Sequence, residues 1–405
     1  MKKLIAIVTA LVLALGLVCL TGCQPEETPG RVYFINRRPE ADEAWQKLAQ
    51  TYTESTGVEV KVVSVTPESY YAEVVAAMNS DWVPSMFQCV NAEDLKQWEG
   101  FALDLTDTAA FKACDDRGFD LRDAAGAVRG IGYAYQVYGI VVNTALLTQA
   151  EHSLEQITDF ASLKAVAEDI TARQEELQFS AFASSGADAF VAEQMINLPL
   201  YYSQKNGTEV SLDGFRNMWD LYLENGSCDA VQQEDQTAVH GYNDFVAGKA
   251  VFYHSDASVY DRLIASGMDA KTLTMIPLYC GAEGEEQAGL CCGTEDYLAV
   301  NAKAPQQDRE ATLKFLEWVA TSDFGLETLA QQFGGVPFKK AKAPENVFFH
   351  AAGALYDAEK YTVTWEHMQL IRQDKWENAI LPALQDYSLG RGDWTAVEAA
   401  FADDK

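Results

Sequence analysis

Between Arg31 and Val90 the apolar residues switch repeatedly between strand and helix spacing, and this alternation restricts the fold more than any other feature of the chain. Arg31-Val-Tyr-Phe-Ile-Asn36 is a short β-rich run. After Pro39, residues Ala41, Ala44, Trp45, Leu48, Ala49 and Tyr52 recur at helical spacing, and Gly57 stands where a helix C-terminal cap belongs. Val58 to Val65 sets valines against Glu, Lys and Ser as a strand does; a second helix is predicted from Ser69 to Asn79 and a further strand from Met86 to Val90. A β-α-β-α-β order implies a mostly parallel sheet with helices on its faces. Ligands of such sheets bind outside the carboxyl ends of the strands, where the loop Asn36 to Glu40 projects.

Further on, Tyr135 to Asn143 reads as a strand, followed by helices over Phe160–Gln174, Ala187–Tyr202 and Leu212–Glu224. Phe245 to Tyr253 is a helix end capped by Gly248 and running into a strand, and the strand Leu298–Asn301 precedes a helix over Gln307–Thr321. Single cores stop growing at roughly 250–300 residues, so the chain is long enough for two lobes. With no repeat and no low-complexity linker, the chain is expected to cross between them more than once.

Met1-Lys2-Lys3, the apolar run Leu4 to Leu20 and the small residues before Cys23 have the order of an export signal. The run is marginal for a span of ~20 residues and is followed by Glu26 and Glu27 rather than by positive charge. Leu20-Thr-Gly-Cys23 resembles the bacterial lipobox, in which the leader is cut before a cysteine that then carries lipid. Residues 1–22 are therefore expected to be a leader and 23–30 a tether, with acyl chains on Cys23 holding a soluble domain at the outer face of the membrane.

Net charge is −30, which repels nucleic acid and anionic lipid. Six cysteines remain beyond Cys23: Cys89, Cys114, Cys228, Cys280, Cys291 and Cys292. They show no Cys-x-x-Cys pair and no companion histidine spacing, so neither a metal nor another cofactor is expected. Cys89 lies in an apolar stretch and is read as core, while Cys280 with Cys291 or Cys292 would close a hairpin in an oxidising compartment. The motifs of serine hydrolases, zinc proteases and phosphate-binding loops are absent, and His152, His240, His254, His350 and His367 are scattered. A glycosidase working through two carboxylates is the rival class, but with 60 acidic residues some suitable pair always exists. A surface scaffold, the third class, needs no cleft.

Several tracts together resemble the extracellular solute-binding proteins of sugar ABC importers, the group of maltose- and multiple-sugar-binding proteins. They are Asn36-Arg37-Arg38-Pro39-Glu40, the helix–Gly–strand Tyr52 to Val62, Tyr138-Gly-Ile-Val-Val-Asn143, Phe245 to Phe252, Gly293 to Asn301 and Gly335-Val-Pro-Phe338. The resemblance implies a periplasmic-binding-protein-like α/β fold: two α/β lobes, a hinge and an interlobe ligand cleft. The lobes would comprise 31–138 with 298–338, and 139–297 with 339–405. It also implies a monomer that binds a mono- or oligosaccharide without catalysis and delivers it to membrane permease subunits; a non-sugar solute is the other option.

A sugar offers hydroxyls for polar side chains and C–H faces for aromatic rings. On that chemistry the expected ligand residues are Arg37, Arg38, Glu40, Tyr70, Tyr71, Gln88, Asn91, Tyr138, Ser255, Asp256, Glu295 and Trp365. Where the resembled family places Asn-Gly and a stacking Trp, this chain has His254-Ser255-Asp256, so Trp365 or Trp376 would have to supply the aromatic wall.

Overall fold

The computed structural model describes residues 30–228, 239–294, 296–364 and 371–402, whose contacts fall into two units. One comprises Met1–Phe87 and Val300–Leu316, the other Gln88–Ala299 and Glu317–Lys405. Cys23, Glu295 and Trp365, expected to carry a lipid, a ligand contact and an aromatic wall, lie outside the described residues, as does the leader.

In the first unit, β1 (Val32–Asn36) is buried at every position, pairs in parallel with β2 (Val60–Ser64) along its whole length, and pairs in parallel with β3 (Met86–Cys89) through Phe34 and Met86. Helix α1 (Asp42–Thr56) turns Ala44, Trp45, Leu48, Ala49 and Tyr52 inward, the residues its periodicity marks, and ends at Gly57 with φ 76°. Trp45 meets Phe34 edge-on at 4.9 Å, and Tyr52 meets Phe315 of the helix Gln306–Thr321 at 5.1 Å. Each such buried side chain contributes about 1.5–3 kcal/mol, so these contacts hold the helices against the strands. Ser85 ties the layers together: its buried hydroxyl oxygen accepts from Tyr33 N at 3.1 Å and lies 2.6 Å from the Thr312 hydroxyl. Helix α2 (Pro67–Ala77) follows β2, buries Tyr70 and leaves Tyr71 half exposed.

The second unit opens with the antiparallel pair β4 (Asp120–Arg122) and β5 (Val128–Gly132). Five strands follow: β6 (Gln136–Asn143), β7 (Ser180–Ala183), β8 (Ala250–Asp256), β9 (Leu273–Ile276) and β10 (Ala288–Gly293). Then come β11 (Tyr297–Val300), antiparallel to β5, and β12 (Tyr361–Val363). A six-stranded sheet in this unit has the order β12-β10-β6-β8-β7, with β9 also on β6. It is mixed: β7–β8 and β10–β12 are parallel, while β6 runs antiparallel to β8, β9 and β10. Helices α3 (Ala92–Gln97), α4 (Phe160–Ala172), α5 (Ala189–Asn206) and α6 (Asp213–Glu224) lie in this unit.

One side of that sheet buries Phe182, Trp219, Tyr222, Trp376 and Trp394, the other Val141, Phe245 and Phe348. Trp376 is therefore a core residue, 3% exposed. Cys89 is buried, as its apolar setting predicts, and Cys280, Cys291 and Cys292 are buried and not bridged to one another, so the hairpin disulfide is not formed.

Candidate functional site

In the first unit the carboxyl end of β1 is organised by Asn36, whose amide is fully buried. Its Nδ2 donates to the Arg38 carbonyl at 2.7 Å and to Ser64 Oγ at 2.9 Å, and its Oδ1 accepts from Arg38 N at 3.1 Å. Ser64 in turn donates to Asp42 Oδ1 at 2.5 Å. The strand ends and the start of α1 are thus locked, which presents Arg37, Arg38 and Glu40 on a rigid turn. Arg38 Nη1 lies 3.3 Å from Glu40 Oε1. The charge of Arg37 helps hold the Glu68 carboxyl below its usual range, after local hydrogen bonds from the backbone and Thr66.

In the second unit, the parallel strands β7 and β8 end side by side, with Ala183 opposite Tyr253. The loop after β7, Ser184 to Asp188, is pinned from several directions. Ser184 Oγ accepts from Cys228 N at 3.0 Å, Ser185 Oγ accepts from Gly241 N at 2.8 Å, and Ser185 N donates to Tyr222 OH at 2.9 Å. The approach at residue 226 demands glycine, because a Cβ there would stand 2.3 Å from Ser184 Oγ.

Asp188 caps α5: its Oδ1 accepts from Phe190 N at 2.9 Å and Val191 N at 3.3 Å. Burial nevertheless pushes its carboxyl above the usual range, against those two bonds. Glu193 is also pushed up by burial, and the charges of Asp188 and Glu377 add to the rise. Between them on the helix, Phe190 is 38% exposed and meets the Tyr138 ring edge-on at 5.6 Å. Asp256, at the end of β8, accepts through Oδ1 from Ser258 N at 2.8 Å and from Ser258 Oγ at 2.5 Å.

Tyr138 lies directly across from Asp256 in the β6–β8 register. Its ring is fully buried and its hydroxyl has no hydrogen-bond partner. Burial raises this phenol, and the charges of Asp188 and Asp256 raise it further. Tyr253 is pushed up to about 12 by burial and then by Asp188. A recess of about 710 Å³ lies beyond the end of β8, bordered by Ala257, Ser258, Tyr260, Asp323, Gln331 and Asn346.

Among the residues expected from sequence, Tyr138, Ser255 and Asp256 come together at this edge, while Arg37, Arg38, Glu40, Tyr70 and Tyr71 belong to the first unit. Gln88 is buried and donates to Tyr133 OH at 2.9 Å; Asn91 caps α3 by accepting from Asp94 N at 2.8 Å. Asp188 and Phe190, at the start of α5, add two candidates to this edge. The signal available for the first is an Asp immediately before a helical apolar pattern, the mark of an N-cap.

His254, two residues before Asp256, stacks on Phe182 at 5.6 Å and meets Tyr222 edge-on at 5.5 Å. Burial lowers its pKa from 6.5 to about 3. The unfolded chain therefore binds the extra proton first, so this residue's contribution to stability is present above pH 6.5 and is lost as pH falls toward 3. Urea unfolding of wild type and His254→Gln at neutral and mildly acidic pH should show the variant losing less stability on acidification; equal losses would remove His254 from the acid sensitivity.

Relatives bear on this geometry. The bacterial extracellular solute-binding protein family matches over residues 47–357, and the chain belongs to that family. Its fold is that of periplasmic binding proteins. Apo RafE from Streptococcus pneumoniae superposes with TM-score 0.73 at 14% identity, over 94% of this chain and 98% of that one. GacH of Streptomyces glaucescens, solved unliganded and with acarbose, gives TM-score 0.59 at 19% identity over 93% and 96%. A chitin oligosaccharide binding protein gives 0.64 at 17% over 91% and 97%. Curated proteins yield no significant match. Among the described residues no helix is long and apolar enough to cross a membrane, and no group of three or more His, Cys, Asp or Glu is placed to hold a metal ion.

Proposed function

We propose that the chain is the lipid-anchored, extracytoplasmic binding subunit of an ABC importer, and that it takes up a carbohydrate reversibly and passes it to a membrane permease. The observation that carries this reading is the edge at β7 and β8, where free acceptor oxygens stand beside an exposed aromatic ring. That pairing suits a ligand with hydroxyls on its rim and C–H on its faces. The names of the structural neighbours point the same way, since raffinose, acarbose and chitin oligosaccharides appear in them. Leu20-Thr-Gly-Cys23 supports the anchor.

On this reading Arg37, Arg38, Glu40, Tyr71 and Tyr138 serve from one lobe and Asp188, Phe190, Ser255 and Asp256 from the other. Gln88, Asn91 and Tyr70 brace them. The lobes are 31–138 with 298–338 and 139–297 with 339–405, although contact density divides the chain at 87/88, 299/300 and 316/317. The protein acts as a monomer and breaks no bond in its guest.

A thermal-shift screen against sugars, amino acids and peptides tests the solute class. A ligand at a hundred times its Kd stabilises by about 2.7 kcal/mol, so a sugar should raise the melting temperature. Flat responses to every sugar, with a clear shift from amino acids or peptides, would overturn the assignment. Glu40→Ala and Asp256→Ala should each weaken sugar binding several-fold, about 0.5–1.5 kcal/mol per lost hydrogen bond. Unchanged affinity in both removes these residues from the site.

A further inference from the structure

The first unit starts on a fixed footing. Arg31 N donates to Oδ1 of Asp308 at 2.8 Å, and Asp308, in the first turn of the helix Gln306–Thr321, is 3% exposed. A Cβ at residue 30 would stand 1.9 Å from the Gln307 carbonyl oxygen, so only glycine lets the chain pass that close. The proposed lipid site, Cys23, precedes Arg31 by eight residues, which span at most about 29 Å. With lipid on Cys23, the surroundings of Arg31 are therefore held near the bilayer.

Those surroundings are two aromatic rings and a second cation. The Arg31 guanidinium lies 4.3 Å from the centre of the Trp82 ring, and the Tyr33 and Trp82 rings are 5.5 Å apart. Lys61, the register partner of Tyr33 across β1 and β2, sets its ammonium 4.1 Å from the Tyr33 ring and 5.2 Å from that of Trp82. Trp82 is half-buried, and its indole N–H has no hydrogen-bond partner among the described residues. Acids outnumber bases 60 to 30 in this chain, yet among the described residues neither Arg31 nor Lys61 makes an ion pair. A recess of about 470 Å³ opens beside the rings, and the exposed Glu73 and Asp81 also border it, so the face is close to neutral rather than polybasic.

An indole with a basic fringe suits the level of phospholipid head groups, where one side of the ring meets apolar chains and the other meets water. Phosphate oxygens at that level accept charge-assisted bonds from guanidinium and ammonium groups. The net charge of −30 does not forbid the contact, because at physiological salt repulsion between exposed charges fades beyond about 8 Å. The groups at the face itself decide. We propose that this face of the first unit rests on the membrane, with Trp82 at the level of the head groups and Arg31 and Lys61 on their phosphates. It rests on the lipid-anchor reading above and gives the partner as the phosphate-bearing surface of the bilayer.

The chain expressed with its leader, extracted and reconstituted in phosphatidylcholine vesicles, tests this by fluorescence. The sequence has eight tryptophans, so a nitroxide quencher on the head groups should remove on the order of an eighth of the wild-type emission if it reaches Trp82. Trp82→Phe should show little of that loss, and so should Arg31→Gln with Lys61→Gln, in which the indole is still present. Equal quenching of wild type and Trp82→Phe, no quenching of either, or an undiminished loss in the double variant, on chain that floats with the vesicles, would overturn the inference while the anchor stood. Chain that stays in the aqueous layer, with Cys23 unmodified by mass spectrometry, would overturn the anchor reading and this inference with it.

Discussion

Replacing Glu285 with alanine is expected to destabilise the second unit by about 4 kcal/mol or more, since a buried donor left without an acceptor costs about 1–3 kcal/mol. Glu285 is only 3% exposed, and its carboxylate gathers four backbone N–H groups. Oε1 accepts from Phe160 N at 2.7 Å, at the start of α4. Oε2 accepts from Cys280 N at 2.7 Å, Gly281 N at 2.8 Å and Ala282 N at 3.3 Å. One side chain thus joins the first turn of α4 to the loop after β9, and its removal strands all four donors. Glu285→Gln keeps a single acceptor oxygen and should lose roughly half as much. Urea unfolding reads both from the shift in midpoint at constant slope. A loss within 0.5 kcal/mol for the alanine variant, the size of an ordinary surface change, would show that the carboxylate is not a tie.

Gly139→Ala is expected to cost about 3 kcal/mol, at the upper end for overpacking a core. An added Cβ would stand 2.5 Å from the Ile276 carbonyl oxygen, 2.7 Å from Leu290 Cδ2 and 2.9 Å from Met275 Cγ. The side chains can turn away, but the carbonyl belongs to β9, which is paired with β6 at the next residue, so relief requires the strands to part. Gly139 follows Tyr138 and sits opposite Ser255, so parting the strands also displaces the β6–β8 edge. The variant should therefore lose both stability and solute affinity. Wild-type values for both would mean that β6 tolerates a side chain there and that the edge is not rigidly held.

How legible the fold was depends on how each element is buried. The opening β-α-β-α-β tract was readable because its helices bury one stripe and its strands are short and rich in branched or aromatic residues, so spacing alone separates them. Phe245 to Tyr253 was readable because Gly248 marks the break between helix and strand. β7, β9 and β10 were not, because Ser180–Ala183 and Ala288–Gly293 are buried at every position and show no alternation, while Leu273–Ile276 is too short to display a period. For the same reason the mixed strand directions escaped: antiparallel pairing of β6 with β8, β9 and β10 is a matter of distant register rather than local pattern. The site followed suit. Ser255 and Asp256 are legible as candidates because they stand where the resembled family carries a different tract, and Tyr138 because it lies in a matching one. Asp188, Phe190 and Glu193 come from the start of α5, which reads in sequence as an ordinary capped helix. The pairing of β7 with β8 and of β8 with β6 sets the start of that helix against Tyr138, which Phe190 meets edge-on.

Equilibrium dialysis of the purified chain against a labelled oligosaccharide, with the sugar recovered and weighed by mass spectrometry, bears most directly on whether this protein holds a carbohydrate unchanged. The expected result is saturable retention of one sugar per chain, released intact on dilution. Retention of none, or recovery of shortened sugar, would contradict the account.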